Sequence, residues 1–110
     1  MTVKRVGDLA STLRALSEPH RLSLVEALRE RERCVRDLVE ALGISQPLVS
    51  HHLAKLSEAG LVTSRHADGF TYYALEPAGI DEAARSLGAL LDVSSLPAAA
   101  KPGGGGDCCR

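Results

Sequence analysis

The chain has 110 residues, 45% of them hydrophobic, and 13 Lys and Arg against 14 Asp and Glu leave a net charge of −1. That length suits one domain with a modest core, and the composition excludes wholesale disorder. The charge balance excludes a surface coated in basic residues but leaves room for one positive face.

No run approaches the roughly 18 apolar residues of a membrane span. The opening MTVKRVGDLAS has charges and no apolar stretch of a signal peptide. A cytoplasmic protein with no membrane partner is expected.

Val6, Leu9, Leu13 and Leu16 form one apolar stripe and predict a first helix from about Asp8 to Leu16. Ser17 is a candidate cap, and Pro19 fits only a first helical turn, so a second helix is predicted from Pro19 to Arg31. Leu24, Val25 and Leu28 form its inner face, with Leu22 at the margin. In CVRDLVEALG, Val35, Leu38, Val39 and Leu42 mark a short amphipathic helix that Gly43 stops. Ser45 then caps another helix, with Gln46 and Pro47 in its first turn, an inner stripe of Val49, Leu53 and Leu56, and Gly60 at its end.

Beyond Gly60 the period becomes alternating. LVTSRH and FTYYAL read as two strands joined by the Asp-Gly turn in ADG. A last helix is predicted from Gly79 to Val93, with Ile80, Ala84, Leu87 and Leu91 on one face. From Ser94 the aperiodic SSLPAAAKPGGGGDCCR reads as a flexible tail. The expected organisation is a domain over 1–93 and a Gly-rich tail over 94–110 that carries Cys108 and Cys109. The fold class is mainly α with a small β-hairpin, an α+β winged helix-turn-helix in the order α-α-α-α-β-β-α.

Two short helices joined by a tight Gly turn and followed by a hairpin leave the second helix's outer face free for a major groove. Gln46, Ser50, His51, Ala54 and Lys55 lie on that face, with Ser45 at its N-terminus. The same polar residues would merely solvate a bundle helix, but the close spacing of the two helices and the hairpin favour DNA. Arg65, beside the wing turn, is a candidate phosphate or minor-groove contact, or a solvated strand-end charge. Apolar stripes on both terminal helices exceed the needs of one small core, so a homodimer through them is expected. Two recognition helices then stand about 34 Å apart, over an imperfect inverted repeat of operator DNA.

LSEPHRLSLVEAL, CVRDLVEALGISQPLVSHHLAKLSEAGLV and GFTYYAL together resemble the ArsR/SmtB family of winged-helix metalloregulatory repressors, over about residues 8 to 92. The resemblance implies a homodimer that represses a resistance operon until a toxic metal or metalloid binds. In the arsenite-responsive branch the similar helix carries several cysteines. This chain keeps Cys34 but has Arg36 and Val39 where two further thiols would stand.

The chain's three cysteines suit metal binding or redox chemistry better than a disulfide framework. Cys108 and Cys109 can supply the two missing sulfurs. The 17 residues from Leu91 to Cys108 give a flexible linker a span of roughly 20–25 Å. Three thiols suit a soft centre, and the resemblance makes trivalent arsenic the leading inducer, with antimony next. A helix N-terminus flanked by Arg33 and Arg36 suits a thiolate at Cys34. No organic cofactor is expected.

The zinc-type site that the family builds from Asp and His on the last helix has no histidine here, and the cadmium- or lead-type N-terminal cysteines are missing. His51 is expected at DNA or in solvent, His52 partly buried and His66 at a strand end. Three rivals stand beside the metalloid repressor. The first is a repressor switched by a Cys34–tail disulfide. The second is a thiol reductase, against which stands the absence of Cys-x-x-Cys and of a nucleotide loop, so no enzyme is expected. The third is a metalloid buffer, which leaves the wing unused.

Overall fold

Several helices in the computed structural model begin where a side chain accepts a free backbone N–H, which is the local reason they start there. Residues 3–98 are described. Glu18 accepts from Arg21 N, Ser45 from Leu48 N and Glu76 from Ala78 N. Each of these three helices also carries proline in its first turn, where a missing N–H costs nothing.

The elements run α1 (Val3–Leu16), α2 (Pro19–Glu30), β1 (Arg33–Cys34), α3 (Val35–Leu42), α4 (Gln46–Glu58), β2 (Val62–Ala67), β3 (Phe70–Leu75) and α5 (Pro77–Leu90), with a 3₁₀ turn over Val93–Ser95. Among the described residues no helix is long and apolar enough to cross a membrane.

The sequence expectations need several corrections. The first helix begins at Val3 rather than near Asp8, because nothing in VKRVG breaks it. Glu18, not Ser17, caps α2; the Ser17 hydroxyl instead donates to Arg14 O at 2.9 Å. That helix ends at Glu30, because Arg31 is already extended. The last helix starts two residues early, at Pro77, and ends at Leu90, and the 3₁₀ turn carries regular structure into the segment predicted as tail. On α5, Ala83 rather than Ala84 packs with Ile80 against the core.

β1 was not expected at all, and it turns the hairpin into a three-stranded antiparallel sheet of order β1-β3-β2. The element order is therefore α-α-β-α-α-β-β-α. The hairpin itself follows the sequence closely: Ala67 pairs with Phe70 across Asp68 and Gly69, whose φ values of 53° and 79° match a two-residue type I′ turn.

Leu24 and Leu28 of α2, Leu38 of α3, Val49, Leu53 and Leu56 of α4, and Leu61 and Val62 form one buried cluster. Burying each leucine removes apolar surface worth about 1.5–3 kcal/mol. This core fixes α3 and α4 against α2, which gives the helix-turn-helix its geometry.

Candidate nucleic-acid interface and thiol site

Gly43 sits at φ 68°, a left-handed conformation that ends α3 and that a side chain would strain. Its N–H donates to Val39 O at 2.9 Å, Ile44 packs on the core, and Ser45 caps α4. Val49, His52, Leu53 and Leu56 turn inward. Ser45, Gln46, Ser50, His51, Ala54 and Lys55 are all exposed, so they share the outward side of the helix, as the sequence indicates.

His52 departs from expectation. It is only 6% exposed, more deeply buried than the partial burial expected. The Arg21 guanidinium donates through Nη1 to His52 Nδ1 at 3.2 Å and through Nε to Ala15 O at 2.6 Å. One arginine thus ties the end of α1 and the start of α2 to the inner face of α4. Glu18 Oε2 lies 3.6 Å from His52 Nε2, and His20 Nδ1 lies 3.6 Å from Glu18 Oε1.

Burial, the first cause, holds His52 below the ordinary histidine range. Arg21, His51 and His20 push the same way, and Glu18 opposes them. For Glu18, burial pushes the carboxyl up, but the Arg21 N–H and the two imidazoles outweigh it and the net shift is downward.

Glu18, His20 and His52 place one ligand atom each within 4.8 Å of one another. The donor types could hold a cation, but the surroundings oppose one. Because His52 accepts at Nδ1, a neutral ring carries its proton on Nε2, the atom a metal would need. The Arg21 charge and the positive end of α2 add repulsion. The cluster is held together by the Arg21–His52 hydrogen bond and the charge contacts of Glu18.

Cys34 is half-buried at the N-cap of α3 and is a free thiol. It belongs to β1, where Arg33 pairs with Tyr73 and Cys34 with Tyr72. Arg33 turns away from it, donating to Ala27 O at 3.1 Å and Glu30 at 3.0 Å. Cys108 and Cys109 lie outside the described residues.

Arg65 stands on β2 facing solvent, yet it is engaged. Its Nε and Nη2 donate to both oxygens of Glu32 at 2.7 and 2.5 Å, and its guanidinium sits 5.0 Å from the centre of the Tyr72 ring. Arg65's bonds hold the Glu32 carboxyl below its usual range, and Glu32 in turn raises Arg65. His66, at the strand end as expected, shares a 2.9 Å hydrogen bond with the Thr71 hydroxyl.

The sequence reading missed Glu18, His20, Arg21, Glu32 and Tyr72. The pairing of Tyr72 with Arg65 follows from the Asp-Gly turn register and was available. Glu18 and His20 also touch each other locally at the start of α2, but the approach of Glu18 and Arg21 to His52 and the reach of Glu32 to Arg65 join distant residues, with no local pattern to announce them.

A tight-turned helix pair that presents one polar helix beside a hairpin wing defines a winged helix-turn-helix protein. The family model described as bacterial regulatory protein, arsR family, matches residues 18–64. The arsenical resistance operon repressor of Staphylococcus aureus is 33% identical over 101 residues, 92% of this chain and 96% of that protein. The chain belongs to the arsR family of bacterial regulatory proteins.

The HTH-type transcriptional repressor SmtB of Mycobacterium tuberculosis is 49% identical over 63 residues, 57% of this chain and 47% of that protein. The match therefore spans about half of that relative's length. Among solved structures, an ArsR-like transcriptional regulator from Rhodococcus sp. RHA1 superposes with a TM-score of 0.72 at 27% identity, covering 80% of this chain and 83% of the other.

Proposed function

We propose that this chain is a transcriptional repressor that binds operator DNA as a homodimer. It is released when Cys34, together with Cys108 and Cys109, takes up trivalent arsenic or antimony. One observation carries this reading: Cys34 sits where α3, which packs behind α4, meets β1, which pairs with the wing. A change at that sulfur strains both DNA-facing elements together.

Among the described residues Cys34 offers one thiol, too few for a tight three-coordinate soft site, so the tail sulfurs complete the set. Thiols carried on the same chain as Cys34 need no second molecule to complete the set. The similarity to an arsenical resistance operon repressor favours arsenic as the inducer. Ser45, Gln46, Ser50, His51 and Lys55 face the groove, and Arg65 meets a phosphate.

The dimer reading is supported by apolar side chains that one chain leaves uncovered, Val6 and Leu13 on α1 and Leu90 with Leu91 at the end of α5. A second copy covers them. Pairing through these helices sets the recognition helices one DNA turn apart.

Release is linkage. To move operator occupancy from 99:1 to 1:99, the inducer must favour the free form by about 5.5 kcal/mol. DNA must weaken inducer binding by the same factor.

A gel-shift titration with arsenite on the full chain, on Cys34→Ser and on a chain cut before Pro102 tests the proposal. Wild type releases DNA, and both variants hold it at concentrations that empty wild type. Equal release from all three removes the thiols from the mechanism. Release by peroxide without arsenite would instead favour the reading in which Cys34 forms a disulfide with a tail cysteine.

A further inference from the structure

Arg65 is gripped by two residues that also border Cys34. Glu32 lies two positions ahead of Cys34, in the segment leading into β1. Tyr72 of β3 pairs with Cys34 on one side and with Arg65 on the other. Residues directly opposite across an antiparallel ladder share a face, so Cys34, Tyr72 and Arg65 form one row across all three strands. The Arg65 guanidinium over the Tyr72 ring is the observed contact in that row.

We infer that Tyr72 is a positioning residue for DNA binding: its ring and the Glu32 carboxylate aim Arg65, and the row delivers any displacement at Cys34 to that arginine. This rests on the proposed role of Arg65 as a phosphate contact. A free arginine on a wing must give up rotamer freedom to meet a phosphate, and a clamped one has already done so. Glu32 occupies Nε and one hydrogen of Nη2, which leaves the outer edge of the guanidinium open for a phosphate.

The clamp is also easily disturbed from the thiol side. β1 is two residues long, so few ladder bonds hold it to β3. A group added to the Cys34 sulfur displaces that strand, moving Glu32 with it and removing the neighbour of Tyr72. Arg65 then loses both supports. This route reaches DNA through the wing and needs no change in α4.

The test uses the 110-residue chain with Cys108→Ser and Cys109→Ser, so that Cys34 is the remaining thiol among its three cysteines. Affinity for a fluorescent duplex of the DNA upstream of its own coding sequence is measured over a salt series. Arg65→Ala should lower affinity about tenfold and reduce the log–log salt slope by about one. Tyr72→Leu should reproduce both effects, and Tyr72→Phe, which keeps the ring face, should restore wild-type values. If Tyr72→Leu does not fold, Tyr72→Ile replaces it, because a β-branched side chain suits a strand.

Capping Cys34 with iodoacetamide should match Arg65→Ala and add nothing to it. Wild-type binding by Tyr72→Leu alongside weak binding by Arg65→Ala overturns the positioning role. Losses from capping and from Arg65→Ala that multiply place the thiol's effect elsewhere and overturn the relay. Wild-type binding by Arg65→Ala itself removes the phosphate contact, and the inference falls with it.

Discussion

Arg21 reaches across from α2 to His52 on α4, a 3.2 Å hydrogen bond between residues 31 apart in sequence. It lands on the only buried polar side chain among the described residues. Helix α4 is thereby held on its inner face by a bond that requires a neutral imidazole.

Acidification should therefore loosen the fold through His52. The folded chain holds this imidazole below its ordinary value, so the unfolded chain takes up the proton first as pH falls. The His52 contribution is complete above about pH 6.5 and declines below it until the folded imidazole also titrates. Arg21, His20 and His51 all oppose the added charge and Glu18 alone favours it. Urea melts of wild type and His52→Gln between pH 7.5 and 5.5 measure this. Wild type should lose stability over that range more steeply than the variant, and parallel slopes would show that His52 stays out of the linkage.

Gly79 should resist any side chain. A Cβ there would meet Gly60 O at 1.9 Å, where the first turn of α5 lies against the backbone just after α4. Gly79→Ala must push these elements apart, and overpacking of this kind costs about 1–3 kcal/mol. Gly88, with open space around it, is the control on the same helix. Gly88→Ala should leave thermal stability unchanged or raise it, whereas Gly79→Ala should lower the Tm by several degrees.

Leu90, 54% exposed at the end of α5, should matter more to assembly than to folding. Leu90→Glu places a charge in the proposed subunit contact while removing little from the core. Light scattering should show a shift from dimer to monomer with the far-UV spectrum retained. Loss of helix signal in the variant would mean that Leu90 serves the fold itself.

Gln46 and Lys55 should separate base reading from charge. Lys55→Ala should weaken binding to all sequences alike and lower the salt slope by about one. Gln46→Ala should relax discrimination at one base position by about 1–3 kcal/mol and leave the salt slope alone. A panel of single-base operator variants read by anisotropy distinguishes the two.

Much of this molecule is written locally. Gly43, Ser45 and Pro47 mark the turn and the start of α4, because left-handed backbone, an acceptor for a free N–H and a missing N–H each require a particular residue type at a particular place. Asp68-Gly69 likewise sets the hairpin register, since both positions need positive φ. The outward side of α4 follows once Val49, Leu53 and Leu56 are placed inside.

The tertiary structure decided the rest. Two residues, Arg33 and Cys34, have no periodicity to read; they form a strand because β3 offers them an edge to pair with. That pairing joins the thiol to the wing, and no window of sequence contains it. The burial of His52 and the reach of Glu32 to Arg65 have the same origin. They depend on contacts across more than 30 positions, and a contact of that range exists only after the core has brought the elements together.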